Sequence, residues 1–281
     1  MKEPFQRGSE QNGRLAGQVV VVTGAGGGVG RATAARLGRE GALVALIARG
    51  GAGVSTAAVE VGAAGGSGIV YETDVADYEQ VRTAAERIET DLGPIDVWIN
   101  VPDAATFARF TDAPPQDFRR ATAATFLGCA WGTRVALDLM RPRGRGTIVQ
   151  AGSALAYRGV PGRSAYCAAE HAIRGLTESI RSELREADSP LKITTVRLPA
   201  PDAGPFKPRD HGQEAADALV FAACHPEREE YRADTVTAMI TRRLTGGRGP
   251  WSWPDRRRAL TAAALGAGTG AAIAALRRRR A

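Results

Sequence analysis

Ser153, Tyr166 and Glu170 are spaced in a way that suggests chemistry. A tyrosine follows the serine by thirteen residues and a carboxylate follows the tyrosine by four, in the stretch Tyr166-Cys167-Ala168-Ala169-Glu170. On a helix, positions i and i+4 share a face, so the phenol and the carboxylate would be neighbours. A phenol near its ordinary value of ~10 is a poor base at neutral pH, and an ionised carboxylate one turn away makes deprotonation harder still. The neutral phenol can nevertheless donate a proton to a substrate oxygen. His171, five residues past Tyr166, falls about 140° round the helix and points elsewhere.

A second candidate lies near the start of the chain. Thr23-Gly24-Ala25-Gly26-Gly27-Gly28-Val29-Gly30 follows a Val-rich run and opens a helix-like stretch. Without Cβ atoms the backbone can turn tightly and let a pyrophosphate reach amide N–H groups at a helix N-terminus, the arrangement of a dinucleotide cradle. The next apolar run ends Leu46-Ile47-Ala48-Arg49. It offers no acid to grip the ribose hydroxyls of NAD, and Arg49 can pair with a 2′-phosphate, so NADP(H) is expected over NAD(H).

These residues need strands that end where they stand. Val- and Ile-rich runs at 18–23, 42–48, 68–73, 95–100, 146–150 and 191–196 alternate with helical stretches at 29–40, 76–92, 116–140 and 163–187. The Ala/Gly-rich segment 50–66 is a further helix candidate. This alternation predicts an α/β fold, a doubly wound parallel sheet between two helical layers. Ser153 then lies just past a strand end, at the carboxyl edge where such sheets bind ligands, and Tyr166 near the start of the next helix.

Gly146-Thr147-Ile148-Val149 and the run from Ser164 through Tyr166 and Glu170 to Glu178 resemble the short-chain dehydrogenase/reductase family, as does the spacing of Thr23, Gly24, Gly28 and Gly30; the resemblance covers residues 17–235. It implies a Rossmann-type three-layer domain. It also implies an oxidoreductase using NADP(H) on a small carbonyl or alcohol substrate, with Tyr166 exchanging a proton with the substrate oxygen and Ser153 hydrogen-bonding it. The cofactor residues carried over are Thr23, Gly24, Gly28, Val29, Gly30, Arg49, Asp74 (toward the adenine amino group), Val75, Asn100 and Pro199. Family members often form dimers or tetramers through the helices corresponding to 116–140 and 163–187, so a homo-oligomer is implied as well.

The chain departs from the family pattern in the hydride-transfer half. Glu170 replaces a lysine that holds the nicotinamide ribose and lowers the tyrosine pKa. Thr125 replaces an asparagine that anchors a relay water. Asn100-Val101-Pro102-Asp103 replaces Asn-Asn-Ala-Gly, and Ala203 stands where many members have Thr. Two readings stay open. One is an NADP(H)-dependent oxidoreductase with weakened activity, chiefly a carbonyl reductase; the other is a cofactor-binding scaffold or sensor without hydride transfer.

At 281 residues, 44% of them hydrophobic, the chain can build one substantial α/β domain. Three widely spaced cysteines, Cys129, Cys167 and Cys224, argue against a disulfide framework or a zinc site and for a reducing cytoplasm. No metal is expected. Residues 1–16 read as a flexible leader, 17–235 as the nucleotide-binding domain and 236–281 as a basic, Ala/Gly-rich C-terminal tail. The seven arginines of 256–281 account for the whole formal charge of +7, so the body is neutral and nucleic acid is not an expected partner. Between two arginine clusters, residues 259–276 are uncharged. As a helix this run would reach about 27 Å, just short of a bilayer core. Trp251 and Trp253 upstream suit an interface. The tail reads either as a solvated Ala-rich extension or as a contact of 251–281 with the inner membrane face, peripheral or tail-anchored.

Overall fold

The computed structural model describes residues 13–102, 108–198 and 212–233. Seven parallel strands form one sheet in the order β3-β2-β1-β4-β5-β6-β7. They are β1 (Val19–Thr23), β2 (Leu43–Ala48), β3 (Ser67–Glu72), β4 (Ile95–Asn100), β5 (Thr147–Ser153), β6 (Lys192–Leu198) and β7 (Glu230–Arg232). The helices are α1 (Gly28–Arg39), α2 (Ala52–Ala63), α3 (Tyr78–Leu92), α4 (Pro115–Ala121), α5 (Gly128–Met140), α6 (Ser164–Glu186) and α7 (Gly212–Cys224). The expected doubly wound fold is present.

Alternation along the strands builds the two faces. Val20, Val22, Val44, Leu46, Val97 and Ile99 pack on one side with Leu37 of α1, Val61 of α2 and Leu219 of α7. Val19, Val21, Ala45, Ile47, Ile95 and Trp98 pack on the other with Ile88 of α3 and Met140 of α5. The chain winds outward from β1 to β3, then returns to place β4 on the opposite side of β1. That reversal opens a crevice beyond the carboxyl ends of β1 and β4, the general ligand position of open α/β sheets.

Three differences from the expectations have physical causes. The stretch 116–140 is not one helix, because a π-helical segment, Thr122–Leu127, separates α4 from α5, with Gly128 N–H bonding to Ala123 C=O. The wider turn rotates the chain so that Thr125 becomes fully buried. Helix α7 and the three-residue strand β7 were not anticipated. The leader gives way at its last residues: Leu15 is buried in the core, Gly17 N–H bonds to Gly41 C=O at 3.0 Å, and Arg14 reaches His225 at 2.8 Å.

Among the described residues no helix is long and apolar enough to cross a membrane. The tail readings for 236–281 lie outside the described residues, as do Asp103, Pro199 and Ala203.

Candidate active site

At the carboxyl end of β5, Ser153 caps the short 3₁₀ turn Ala154–Ala156, its Oγ accepting a hydrogen bond from Leu155 N–H at 3.1 Å. Helix α6 then brings Tyr166 and Glu170 back over this strand end. The Glu170 Oε2 accepts a hydrogen bond from Ser153 N–H at 2.7 Å, so the carboxyl spans from helix to strand. The Tyr166 hydroxyl stands close enough to the Ser153 and Glu170 side chains for both to bear on its ionisation. All three residues are buried, with Glu170 only 1% exposed. The structure thus brings together the three residues singled out from spacing, with Tyr166 and Glu170 on one face of α6 as the i, i+4 relation requires and Ser153 at the end of β5.

Their electrostatics follow from that burial. Loss of water pushes the Glu170 carboxyl up to about 7, against the Ser153 N–H, the Tyr166 hydroxyl and the Arg197 guanidinium, all of which favour the carboxylate. Tyr166 is raised well above the ordinary phenol value, first by burial and then by the adjacent Glu170. Tyr166 therefore keeps its proton throughout the neutral range, while Glu170 is poised between acid and carboxylate there. His171 is exposed and bonds back to Cys167 C=O, outside this cluster.

Thr125 reaches the interior from the π-helical segment, and its buried hydroxyl has no hydrogen-bond partner among the described residues. Asn100 is also buried, but its amide is engaged elsewhere. Its Oδ1 accepts from Trp98 Nε1 at 2.8 Å, and its Nδ2 donates to Thr133 Oγ1 at 3.1 Å and to Gln150 Oε1 at 3.0 Å. This side chain ties β4 to β5 and α5, so only its backbone remains to face a ligand.

A cleft of about 620 Å³ lies across the sheet reversal. Thr23, Gly24, Arg49, Asp74, Val75 and Asn100 line it, together with Gly26, Gly27 and Pro102. Gly24 has φ +67°, and a Cβ there would stand 2.2 Å from Val101 C=O, so only glycine lets the loop pass. Gly30 packs equally tightly, a Cβ meeting Gly24 C=O at 2.2 Å. Helix α1 starts at Gly28 with no side-chain cap and no acid in its first turn, which leaves its first N–H groups for an anion. Gly28, Val29 and Gly30 form that helix start rather than the cleft wall. Asp74 Oδ1 accepts from Ala76 N–H at 3.0 Å, leaving Oδ2 for a donor in the cleft. Arg49 is exposed and makes no hydrogen bond or ion pair among the described residues.

Two arginines escaped the sequence reading. Arg120 of α4 lines the cleft and makes only a loose 3.7 Å pair with Asp117. Arg197 of β6 is buried, bonded through Nε to Glu230 Oε2 at 3.2 Å. Ile193, Thr195 and Arg197 alternate onto one face of the strand, but nothing in the sequence marks that face as buried at Arg197. Ser153, Tyr166 and Glu170 are not among the described residues that line the cleft. No group of three or more metal-ligating side chains occurs among the described residues.

Comparisons with known proteins agree with this architecture. A sequence profile described as short chain dehydrogenase matches residues 18–203. The chain is 31% identical over 243 residues to the uncharacterized oxidoreductase YxnA of Bacillus subtilis (strain 168), covering 80% of this chain and 68% of that one. Of the first curated relatives it matches, the chain spans between 30% and 68% of their length. A metagenomic short-chain oxidoreductase crystallised in complex with NADP superposes with a TM-score of 0.68 at 25% identity, covering 78% of this chain and 96% of that one. A short chain dehydrogenase/reductase from Burkholderia phymatum in complex with NAD superposes with a TM-score of 0.75, covering 86% of this chain and 99% of that one; at 20% identity it speaks to fold alone.

Proposed function

Because the chain belongs to the short-chain dehydrogenase/reductase family, we propose that it reduces a carbonyl group on a small molecule with NADPH, using a neutral Tyr166–Glu170 pair as its proton source. The observation that carries this reading is the buried Tyr166 hydroxyl, set beside both the Ser153 side chain and a buried Glu170 carboxyl. The nicotinamide cofactor, when bound, supplies the hydride. Ser153 Oγ–H donates a hydrogen bond that polarises the substrate oxygen. Tyr166 gives that oxygen its proton, and protonated Glu170 passes its own proton to the tyrosine oxygen. The C=O π bond becomes an O–H bond, and the negative charge ends on the Glu170 carboxylate instead of on a buried phenolate. A carboxylate already present before the reaction would oppose this transfer, so reduction is fastest with Glu170 neutral.

This assigns position 170 a proton and not a ribose. Its Oε2 is committed to Ser153 N–H and its carboxyl to Tyr166, so neither reaches out as the family's lysine does. The uncapped start of α1, the close-packed Gly24 and Gly30, and the accepting Asp74 fit a dinucleotide. The unpartnered Arg49, with Arg120 in the same cleft, supports NADP(H) over NAD(H) through a 2′-phosphate.

A second reading, a cofactor-binding protein without hydride transfer, is favoured by one observation: the lining of the cleft stops short of Ser153 and Tyr166. NADPH binding followed by fluorescence, beside NADPH consumption on a broad carbonyl panel, separates the two. The proposal expects turnover that disappears in Tyr166→Phe while NADPH still binds. Binding without turnover on any carbonyl would overturn it in favour of the second reading.

A further inference from the structure

We infer that Arg197 is a positioning residue for Glu170, the buried cation on strand β6 that keeps the carboxyl on helix α6 able to release and regain its proton. The inference deepens the reading of Glu170 proposed above and rests on it for its catalytic meaning.

Strand β6 turns Ile193, Thr195 and Arg197 toward α6, since Arg181 of that helix bonds to Ile193 C=O at 2.9 Å and to Thr195 Oγ1 at 3.1 Å. Arg197 is 3% exposed. Two contacts fix its guanidinium: Nε donates to Glu230 Oε2 at 3.2 Å, and the group lies 4.9 Å from the centre of the Tyr157 ring. Tyr157 is locked in turn, its hydroxyl donating to the same Glu230 oxygen at 2.6 Å and Arg174 standing over the ring at 4.3 Å. The inner nitrogen, Nη1, has no hydrogen-bond partner among the described residues.

Gly152 makes room for that nitrogen. It pairs with Arg197 across the sheet, and a Cβ on it would stand 2.7 Å from Nη1. The very next residue, Ser153, donates its N–H to Glu170. Guanidinium and carboxyl, both nearly fully buried, therefore meet consecutive residues of β5 under helix α6. Glu230, which pairs with Arg197, is partly exposed and also shared with Arg232 at 3.7 Å, so it only partly neutralises the buried cation.

The other groups facing Glu170 do not supply this field. Tyr166 and Cys167 on α6 and Cys129 on α5 are all pushed up by burial and stay neutral near pH 7. From β5 comes only the Ser153 N–H dipole. Arg163, at the head of α6, bears on Tyr166 and Cys167. Arg197 is the full positive charge that acts on Glu170 itself. Beside the larger effects of the Ser153 N–H and the Tyr166 hydroxyl, it offsets part of the cost of burying a carboxylate, and without it the carboxyl would hold its proton to higher pH.

The test is an infrared titration of the full-length protein, following the carboxylic C=O band that disappears in Glu170→Gln, in the parent, Arg197→Gln, Arg197→Lys and Gly152→Ala. The parent should titrate at about 7. Arg197→Gln should titrate measurably higher, and Arg197→Lys, which keeps the charge, close to the parent. Gly152→Ala crowds Nη1 without removing any charge and should move the midpoint in the same direction, which decides the matter if Arg197→Gln does not fold. An unmoved midpoint in Arg197→Gln, or in Gly152→Ala when that variant alone folds, would overturn the inference. Because this titration needs no turnover, a parent without carbonyl reduction sinks the proposed function and leaves the role of Arg197 to be decided on its own.

Discussion

Glu170 leaves a signature in stability as well as in turnover. Its carboxyl rises from the ordinary value near 4.5 in the open chain to about 7 when folded, so the folded state binds the extra proton between those values. Its contribution is fully present below pH 4.5, declines as pH rises toward 7 and is lost above it, a difference on the order of 3 kcal/mol. Glu170→Gln cannot ionise, so its unfolding free energy from urea melts should fall less between pH 5 and pH 8 and should exceed the parent's at pH 8. Equal pH dependence in the two proteins would mean that Glu170 is not buried as a carboxyl. Tyr166→Phe keeps the ring packing and removes the proton donor, so kcat for reduction should drop by about 10²-fold or more with little change in melting temperature. The tyrosine and glutamate were legible as neighbours because helical geometry places i and i+4 side by side, and Ser153 was legible through the family resemblance. Arg197 was not, since a charged residue in a strand reads as exposed until the helix above it and the glycine beside it are known.

Among the elements, the parallel strands and the helices between them were legible because Val/Ile runs end at glycine or polar punctuation. Other features were not. The π-helical break at Thr122–Leu127 contains no proline or glycine and leaves the apolar pattern continuous, so nothing local marks it. Strand β7 is three residues long and carries two charges, and it exists because β6 offers it an edge to pair with. Gly132 shows how closely α5 sits on β4, for a Cβ there would lie 2.4 Å from Asn100 Oδ1 and 2.7 Å from Trp98 Nε1. Gly132→Ala should therefore destabilise by about 1–3 kcal/mol in thermal or urea melts, through overpacking of that buried network. A variant as stable as the parent would show that α5 can shift outward at no cost.

For the whole molecule, the sheet reversal opens the cleft in which the proposed dinucleotide would lie, and the charge of that cleft bears on the proposed choice of NADP(H). Arg49, without a hydrogen bond or ion pair among the described residues, stands just past the end of β2 and lines the cleft with Arg120. Arg49→Ala should weaken NADPH binding about tenfold or more in a fluorescence titration and leave NADH nearly unaffected. Equal loss for both would remove the 2′-phosphate from the account. The basic tail was the plainest feature of composition and lies outside the described residues; among these, the site is built from the ends of β1 to β6 and the start of α6.

The most direct test is the pH dependence of NADPH-driven carbonyl reduction in the parent and in Glu170→Gln. The proton relay predicts that the parent's kcat falls as pH rises through about 7, where Glu170 ionises, and that Glu170→Gln is slow at every pH and lacks this limb. Reduction in the parent that is flat across neutrality, or a Glu170→Gln variant that keeps the parent's rate and profile, would contradict it.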